Sequence, residues 1–364
     1  MGLLRLLLAI AVVIAHSTPI GGLTFTGAIT AVHAFFMISG FYISLILNEK
    51  YIKRNNSYVL FITNRFLKLY PAYWAVLLLI IIFCFLQYYY SRVVIGFGGD
   101  FGQLSSFLSY LDLMSLSTRL YLIFINIFIV GLDSLQFLGL NLQSGNLFYT
   151  PSFHTISPQL HFFALIPAAW AISLEILFYV VSPFILRKEW KVVSLIIALS
   201  LMLRIFLMRN GFRYDPWTYR FFPTELAFFL FGNISYRIYK KILVLRLASK
   251  NLLAIFVSFL LLTILYNSTI LAGLESAYLL LLIFIMPFIF NLSKNWKFDR
   301  YLGELSYLVF ISHVFIISII DFFKSPLLSS NGFTVSVVSI IFSMMLSKFV
   351  LARIEKFRQS RLIV

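Results

Sequence analysis

Charge is scarce in this chain. Of its 364 residues, Lys, Arg, Asp and Glu make up 12%, where a soluble globular domain carries about a quarter. Only 13 residues are acidic, and the single cysteine, Cys84, lies inside an apolar run. One cysteine excludes a disulfide framework within the chain, and no Cys/His spacing suits a metal. Neither a P-loop nor a dinucleotide fingerprint occurs. Also missing are any stretch with the composition of a soluble domain, an internal repeat and a disordered tail.

What fills the space is apolar. Such residues make up 61% of the chain, and the mean hydropathy is +0.95. Long apolar runs recur at 72–86, 192–203, 251–266, 276–290 and 335–347. With its flanks, each reaches most of the roughly 20 residues a crossing needs. A β-barrel would show alternating segments of about ten residues instead. The expected fold class is therefore all-α, a polytopic transmembrane helical bundle.

A net charge of +16 first suggests a nucleic-acid partner, but the placement of the charges argues otherwise. The basic residues gather in short segments at 50–68, 187–191, 237–250, 294–300 and 348–361. This is the positive-inside pattern, which assigns all of them to the cytoplasm. There they also suit anionic headgroups of membrane lipid or an anionic cofactor. Nucleic acid is not expected, and no feature speaks to oligomeric state.

Threading from a cytoplasmic N-terminus gives about ten crossings: 3–19, 29–47, 70–90, 164–186, 190–208, 221–239, 251–268, 275–292, 303–322 and 333–351. Both termini then lie in the cytoplasm. Residues 91–163 remain between two outside points, although they hold an apolar run at 120–132. An odd crossing there would invert every later loop. The run is expected to be a re-entrant or interfacial segment, or a closely spaced pair, on the extracytoplasmic side. The whole chain, 1–364, reads as one transmembrane domain with no appended soluble one. A cleaved signal over residues 1–17 is the competing reading of the first helix.

Ionisable residues inside spans are expensive and usually functional. They are His16, His33, Glu175, Glu225 and His313, with Arg65 and Lys68 at the cytoplasmic mouth of the third crossing. In "RLLLAIAVVIAH", eleven helical steps put Arg5 and His16 on one face, about 16 Å apart along the axis. Cationic groups at the inner ends and histidines deeper in suggest a channel for an anionic cytosolic ligand with a base beyond it. From the residues alone the chain is a membrane enzyme or a transporter, for instance a flippase of a lipid-linked glycan.

Four segments then carry a resemblance. "RLLLAIAVVIAH" has an Arg-x10-His spacing, and "HAFFMISGFYIS" contains Phe-Phe-x-x-Ser-Gly-Phe. "NRFLKLYPAYW" is a basic entry to a helix, and "WAISLEILFYVVSP" places Glu175 before Phe178 and Tyr179. A fainter match, "LGELSYLVFISH", ends on His313. In order and spacing the chain resembles the acyltransferase-3 family of integral-membrane O-acyltransferases, which includes bacterial polysaccharide and lipopolysaccharide O-acetylases. It departs in having Lys68 as the second basic residue of the third segment, which keeps charge but loses bidentate geometry. The family's acidic residue ahead of Gly2 is absent.

The resemblance implies an acyl-CoA donor, most often acetyl-CoA, entering from the cytoplasm. It implies a hydroxyl acceptor on a cell-surface glycan or its lipid-linked precursor, at a bacterial cytoplasmic membrane. Arg5, Arg65 and Lys68 are the candidates for docking the donor's phosphates. His16 is the candidate general base. Ser39 or His33 are candidates to carry an acyl-enzyme, should transfer not be direct. Glu175 is a candidate to orient a histidine or to bind sugar, and Trp170 to stack on a sugar ring. Tyr179 and Arg220 complete the acceptor set, with Tyr214, Trp217, Tyr219, His154 and His161 as weaker members. For Ser39-Gly40 the competing role is close helix approach. No metal is expected.

Overall fold

An apolar segment in lipid must satisfy its own backbone N–H and C=O groups, and a helix does so within one stretch. The computed structural model describes residues 1–51, 57–91, 103–242, 249–268, 272–323 and 329–361. Of the basic segments read above, Lys53, Arg54 and Arg246 lie outside them. The chain runs through α1 (Gly2–Ala15), α2 (Gly27–Glu49), α3 (Ser57–Ser91), α4 (Gln103–Tyr110) and α5 (Leu116–Phe128). A small hairpin follows, β1 (Leu138–Leu140) antiparallel to β2 (Leu147–Tyr149), with Leu138 opposite Tyr149. Then come α6 (Trp170–Ile185), α7 (Trp190–Arg209), α8 (Phe222–Ile242), α9 (Ser249–Leu265) and α10 (Glu275–Ser293). The last elements are α11 (Lys297–Phe323), α12 (Gly332–Leu346), a π-turn at Ser347–Leu351 and α13 (Ala352–Ser360). The fold is an all-α polytopic bundle.

Each expected crossing has its helix. Among the described residues, eight helical stretches are long and apolar enough to cross a membrane. The two expected crossings that fall short are α1 and α8. With 14 residues, α1 spans only about 21 Å at 1.5 Å per residue. In α8 the polar Glu225, Asn233 and Arg237 interrupt the apolar sequence. Both are inner helices: α1 packs on α2 and α11, and α8 on α2 and α7. Walled by protein rather than lipid, they need not match the bilayer's thickness or its polarity.

Glycines set two of the closest approaches. A Cβ on Gly40 of α2 would collide with the Phe229 carbonyl of α8, and one on Gly232 with the Met37 carbonyl. Between α1 and α11, a Cβ on Gly2 would collide with the Asp299 carbonyl, and one on Gly303 would come within 3.1 Å of Gly2 Cα. The start of α1 is also capped from across the bundle. Asp299 of α11 accepts from the backbone N–H of Gly2 (2.8 Å) and of Leu3 (2.9 Å), leaving fewer of the helix's first donors unsatisfied.

Two boundaries near the site differ from expectation. The helix expected at 70–90 starts at Ser57, so Arg65 and Lys68 sit on α3 itself rather than in a loop at its mouth. The helix expected at 3–19 ends at Ala15, which makes His16 its C-terminal cap. Within 91–163, α5 has 13 residues, too short to cross alone at about 20 per crossing. It stops at Ile129, whose φ of +64° is followed by Gly131 at +85°.

Candidate active site

Arg65 and Lys68 are three residues apart on α3 and share its inward face. Opposite them are Arg5 from α1, Ser39 from α2, and Glu175 and Tyr179 from α6. All six line one chamber of about 390 Å³ at the end of the bundle that carries the basic segments. A side chamber of about 750 Å³ shares Arg5, Lys68 and Arg358 with it and reaches Met345 and Phe349 beside the π-turn. Seven cationic side chains line the main chamber against four carboxylates. The excess shows at its mouth, where Lys50 is held below the ordinary lysine range. Burial is the larger cause, followed by the charges of Arg358, Arg65 and Arg300.

The predicted cations stand apart from the others. Arg358 is paired with Glu355, Arg204 with Glu225 and Arg220 with Asp215. Among the described residues no salt bridge involves Arg5, Arg65 or Lys68. Arg65 is only 5% exposed. Its guanidinium lies between the rings of Phe61 (5.8 Å) and Tyr179 (6.0 Å), and its buried Nε has no hydrogen-bond partner. A buried cation in this state is costly unless an anion arrives to pair with it. The chamber therefore carries an excess of positive charge, including a buried arginine, toward its interior.

Deeper in, one oxygen gathers two donors. Glu175 Oε1 accepts from Ser39 Oγ and from Tyr179 Oη, each at 2.6 Å. Glu175 is therefore tied to a hydroxyl pair and not, as expected, to a histidine. Ser39 lines the chamber, and the neighbouring Gly40 serves helix approach. Tyr179, expected among the acceptor residues, lines the same chamber as Arg5, Arg65 and Lys68.

Phe310 lines the chamber's deep end and packs edge-on against Phe35 at 5.9 Å. Three residues on, His313 meets His16, with ring centroids 5.0 Å apart. The predicted Arg5 and His16 thus bracket α1, one in the cationic chamber and one at the histidine pair. Arg220 is close enough to His16 for their charges to couple. It covers the ring of Trp170 at 4.2 Å and binds both oxygens of Asp215, at 2.8 and 2.9 Å. Trp170 stacks here on a guanidinium, so that face is not open to a sugar ring. Trp217 is also engaged, donating from Nε1 to the Pro151 carbonyl at 2.8 Å. Beside them His161 is pushed down to about 4, first by burial and then by Arg220, and stays uncharged. His154 is exposed.

His33 belongs to neither end. It is fully buried, with Nε2 at 2.7 Å from Glu225 and Nδ1 against Glu275. Phe228 stacks on it at 4.1 Å, and Arg204 holds the other Glu225 oxygen at 2.8 Å. With a carboxylate at each ring nitrogen, His33 is an ionic tie between α2, α8 and α10. The acyl-carrying role expected of it has no nitrogen left to use. Arg204 and Glu275 were missed in sequence, although Arg204 is visible as a lone cation in an apolar span.

The sequence matches the model of the acyltransferase-3 family, described as an acyltransferase domain, over residues 1–353. The chain belongs to this family. Every residue discussed above except Glu355 and Arg358 lies within the match. No curated protein and no solved structure matches it. Membership makes the chain a multi-pass membrane acyltransferase, which decides for acyl transfer over transport.

Proposed function

We propose that this membrane acyltransferase takes its acyl group, acetyl in the simplest case, from acyl-CoA in the cytoplasm. It passes the group to a hydroxyl of a cell-surface glycan or of its lipid-linked precursor. The observation that carries this is the set of Arg5, Arg65 and Lys68, which line one chamber and, among the described residues, form no salt bridge. A phosphate-bearing donor supplies the missing anions: Arg65 takes it by charge-assisted hydrogen bonds, Lys68 as a point charge. His16, past the Phe35–Phe310 pair, is the base for the acceptor hydroxyl. Ser39 and Glu175 line the route between them. Arg220 and Trp170 approach the acceptor from the other side as a preformed cation–aromatic pair, which suits polar contact with a sugar better than ring stacking.

Purified protein should release free thiol from acetyl-CoA in proportion to acylated glycan when acceptor is supplied. Glycan acylation without thiol release would exclude a CoA thioester as the donor.

The protein is placed in a bacterial cytoplasmic membrane with both termini inside and residues 91–163 outside. The support is parity, since Lys68 and Arg187 both belong to basic, inward segments. In a Cys84→Ser background, an impermeant thiol reagent on intact cells should label Ser144→Cys and miss Lys191→Cys. Labelling at 191 would invert the placement.

A further inference from the structure

His313 is fully buried in α11, and its family motif left it without a role. Its ring offers Nε2 to His16 Nδ1 at 3.3 Å. Carbonyl oxygens only accept, so a ring nitrogen bonded to one must carry hydrogen. His16 Nδ1 is 2.9 Å from the Val12 carbonyl, and His313 Nδ1 is 2.7 Å from the Phe310 carbonyl. Each neutral ring therefore holds its proton on Nδ1 and its lone pair on Nε2. That fixes the direction of the contact between them. His16 Nδ1–H donates to His313 Nε2, sharing its hydrogen with Val12.

We propose that His313 is a positioning residue for acyl transfer, sharing with the Val12 carbonyl the hold on His16 Nδ1–H that orients the ring and makes Nε2 the basic nitrogen. This rests on the reading of His16 as the base. In the step itself the acceptor oxygen bonds to the acyl carbon as its proton passes to His16 Nε2. The carbon–sulfur bond breaks, and the imidazolium returns the proton to the departing thiolate, so an ester and a thiol leave a neutral His16. His313 stays neutral throughout, because two cationic rings with centroids 5.0 Å apart repel. It turns its lone pair toward the imidazolium, as the carboxylate does in a Ser-His-Asp triad, but without that group's charge. It acts through His16 and does not itself exchange the substrate's proton.

Five histidines make the test direct. In ¹⁵N-histidine-labelled protein at neutral pH, His16 is expected as the Nδ1–H tautomer. In His313→Leu the Val12 carbonyl alone holds that proton, so a measurable fraction should shift to Nε2–H, and kcat should fall about ten- to a hundredfold, the scale for losing a histidine's orienting partner. The donor KM should stay within about twofold, since only transition-state positioning is lost. His313→Gln, whose side-chain oxygen still accepts, should recover the tautomer and part of kcat. His313→Ala replaces the Leu variant if that does not fold. An unmoved tautomer and unmoved kcat in both apolar variants, with His16→Ala inactive, would overturn this inference alone. Full turnover in His16→Ala would overturn the reading of His16 as base and the proposal with it.

Discussion

Two buried charge clusters in this bundle are built in opposite ways. Around His33 every charge has a partner: Arg204 meets Glu225, and His33 lies between Glu225 and Glu275. In the chamber, Arg5, Arg65 and Lys68 form no salt bridge among the described residues. Both clusters combine cations with aromatic rings, Arg204 over Phe228 and Arg65 against Phe61. Composition and burial therefore do not separate them; pairing does. A closed set of charges ties helices together, whereas an open set holds a field for something that comes and goes.

The closed cluster should break with the largest effect. Glu225→Ala leaves both His33 and Arg204 unmatched in the interior, and removing one partner of a buried pair costs about 3–5 kcal/mol. The variant should melt well below wild type in detergent or lose its folded, monodisperse state. Glu225→Gln, which keeps shape and hydrogen bonding, should lose less. A Glu225→Ala protein that melts with the wild type would mean that the cluster is not a tie.

Arg65→Ala should do the converse. Removing an unmatched buried cation leaves stability unchanged or raises it. Acyl-CoA binding should weaken by about ten- to a hundredfold, since hydrogen bonds to charged groups contribute about 1.5–3 kcal/mol. The expected signature is a raised donor KM with an unchanged melting temperature. A lower kcat with unchanged KM would instead make Arg65 a positioning group.

How much of this was legible follows from the range of each signal. Arg5 and His16, and Arg65 with Lys68, lie within single helices, so helical period alone put each pair on a common face. The start of α3 was missed because Arg65 and Lys68 face the chamber and Asn64 bonds to Tyr51 and Arg361 rather than facing lipid, and a hydropathy reading discards them. The hairpin was invisible for another reason: three-residue strands are too short for alternation to register. His33 was misread as available because its partners come from α8 and α10, about 190 and 240 positions away in the chain. The sequence exposed that a buried histidine is there, but which carboxylates flank it is a property of packing. The same distance hid the contact between His16 and His313.

The smallest expected effect tests whether pairing also governs a neutral neighbour. His161 sits outside the spans beside the Arg220–Asp215 pair, and burial with Arg220 lowers it to about 4 from 6.5. Between those values the unfolded chain binds a proton that the folded one refuses, so stability rises with pH there. The contribution is fully present above about pH 6.5 and is lost as pH falls toward 4. The slope is at most one proton, or about 1.4 kcal/mol per pH unit. Melting curves between pH 4 and 7 should show this slope in wild type and a shallower one in His161→Gln, with no difference between the two slopes above pH 7. Equal slopes across the whole range would show that His161 charges freely beside Arg220, and that Asp215 already neutralises the arginine's field at this distance.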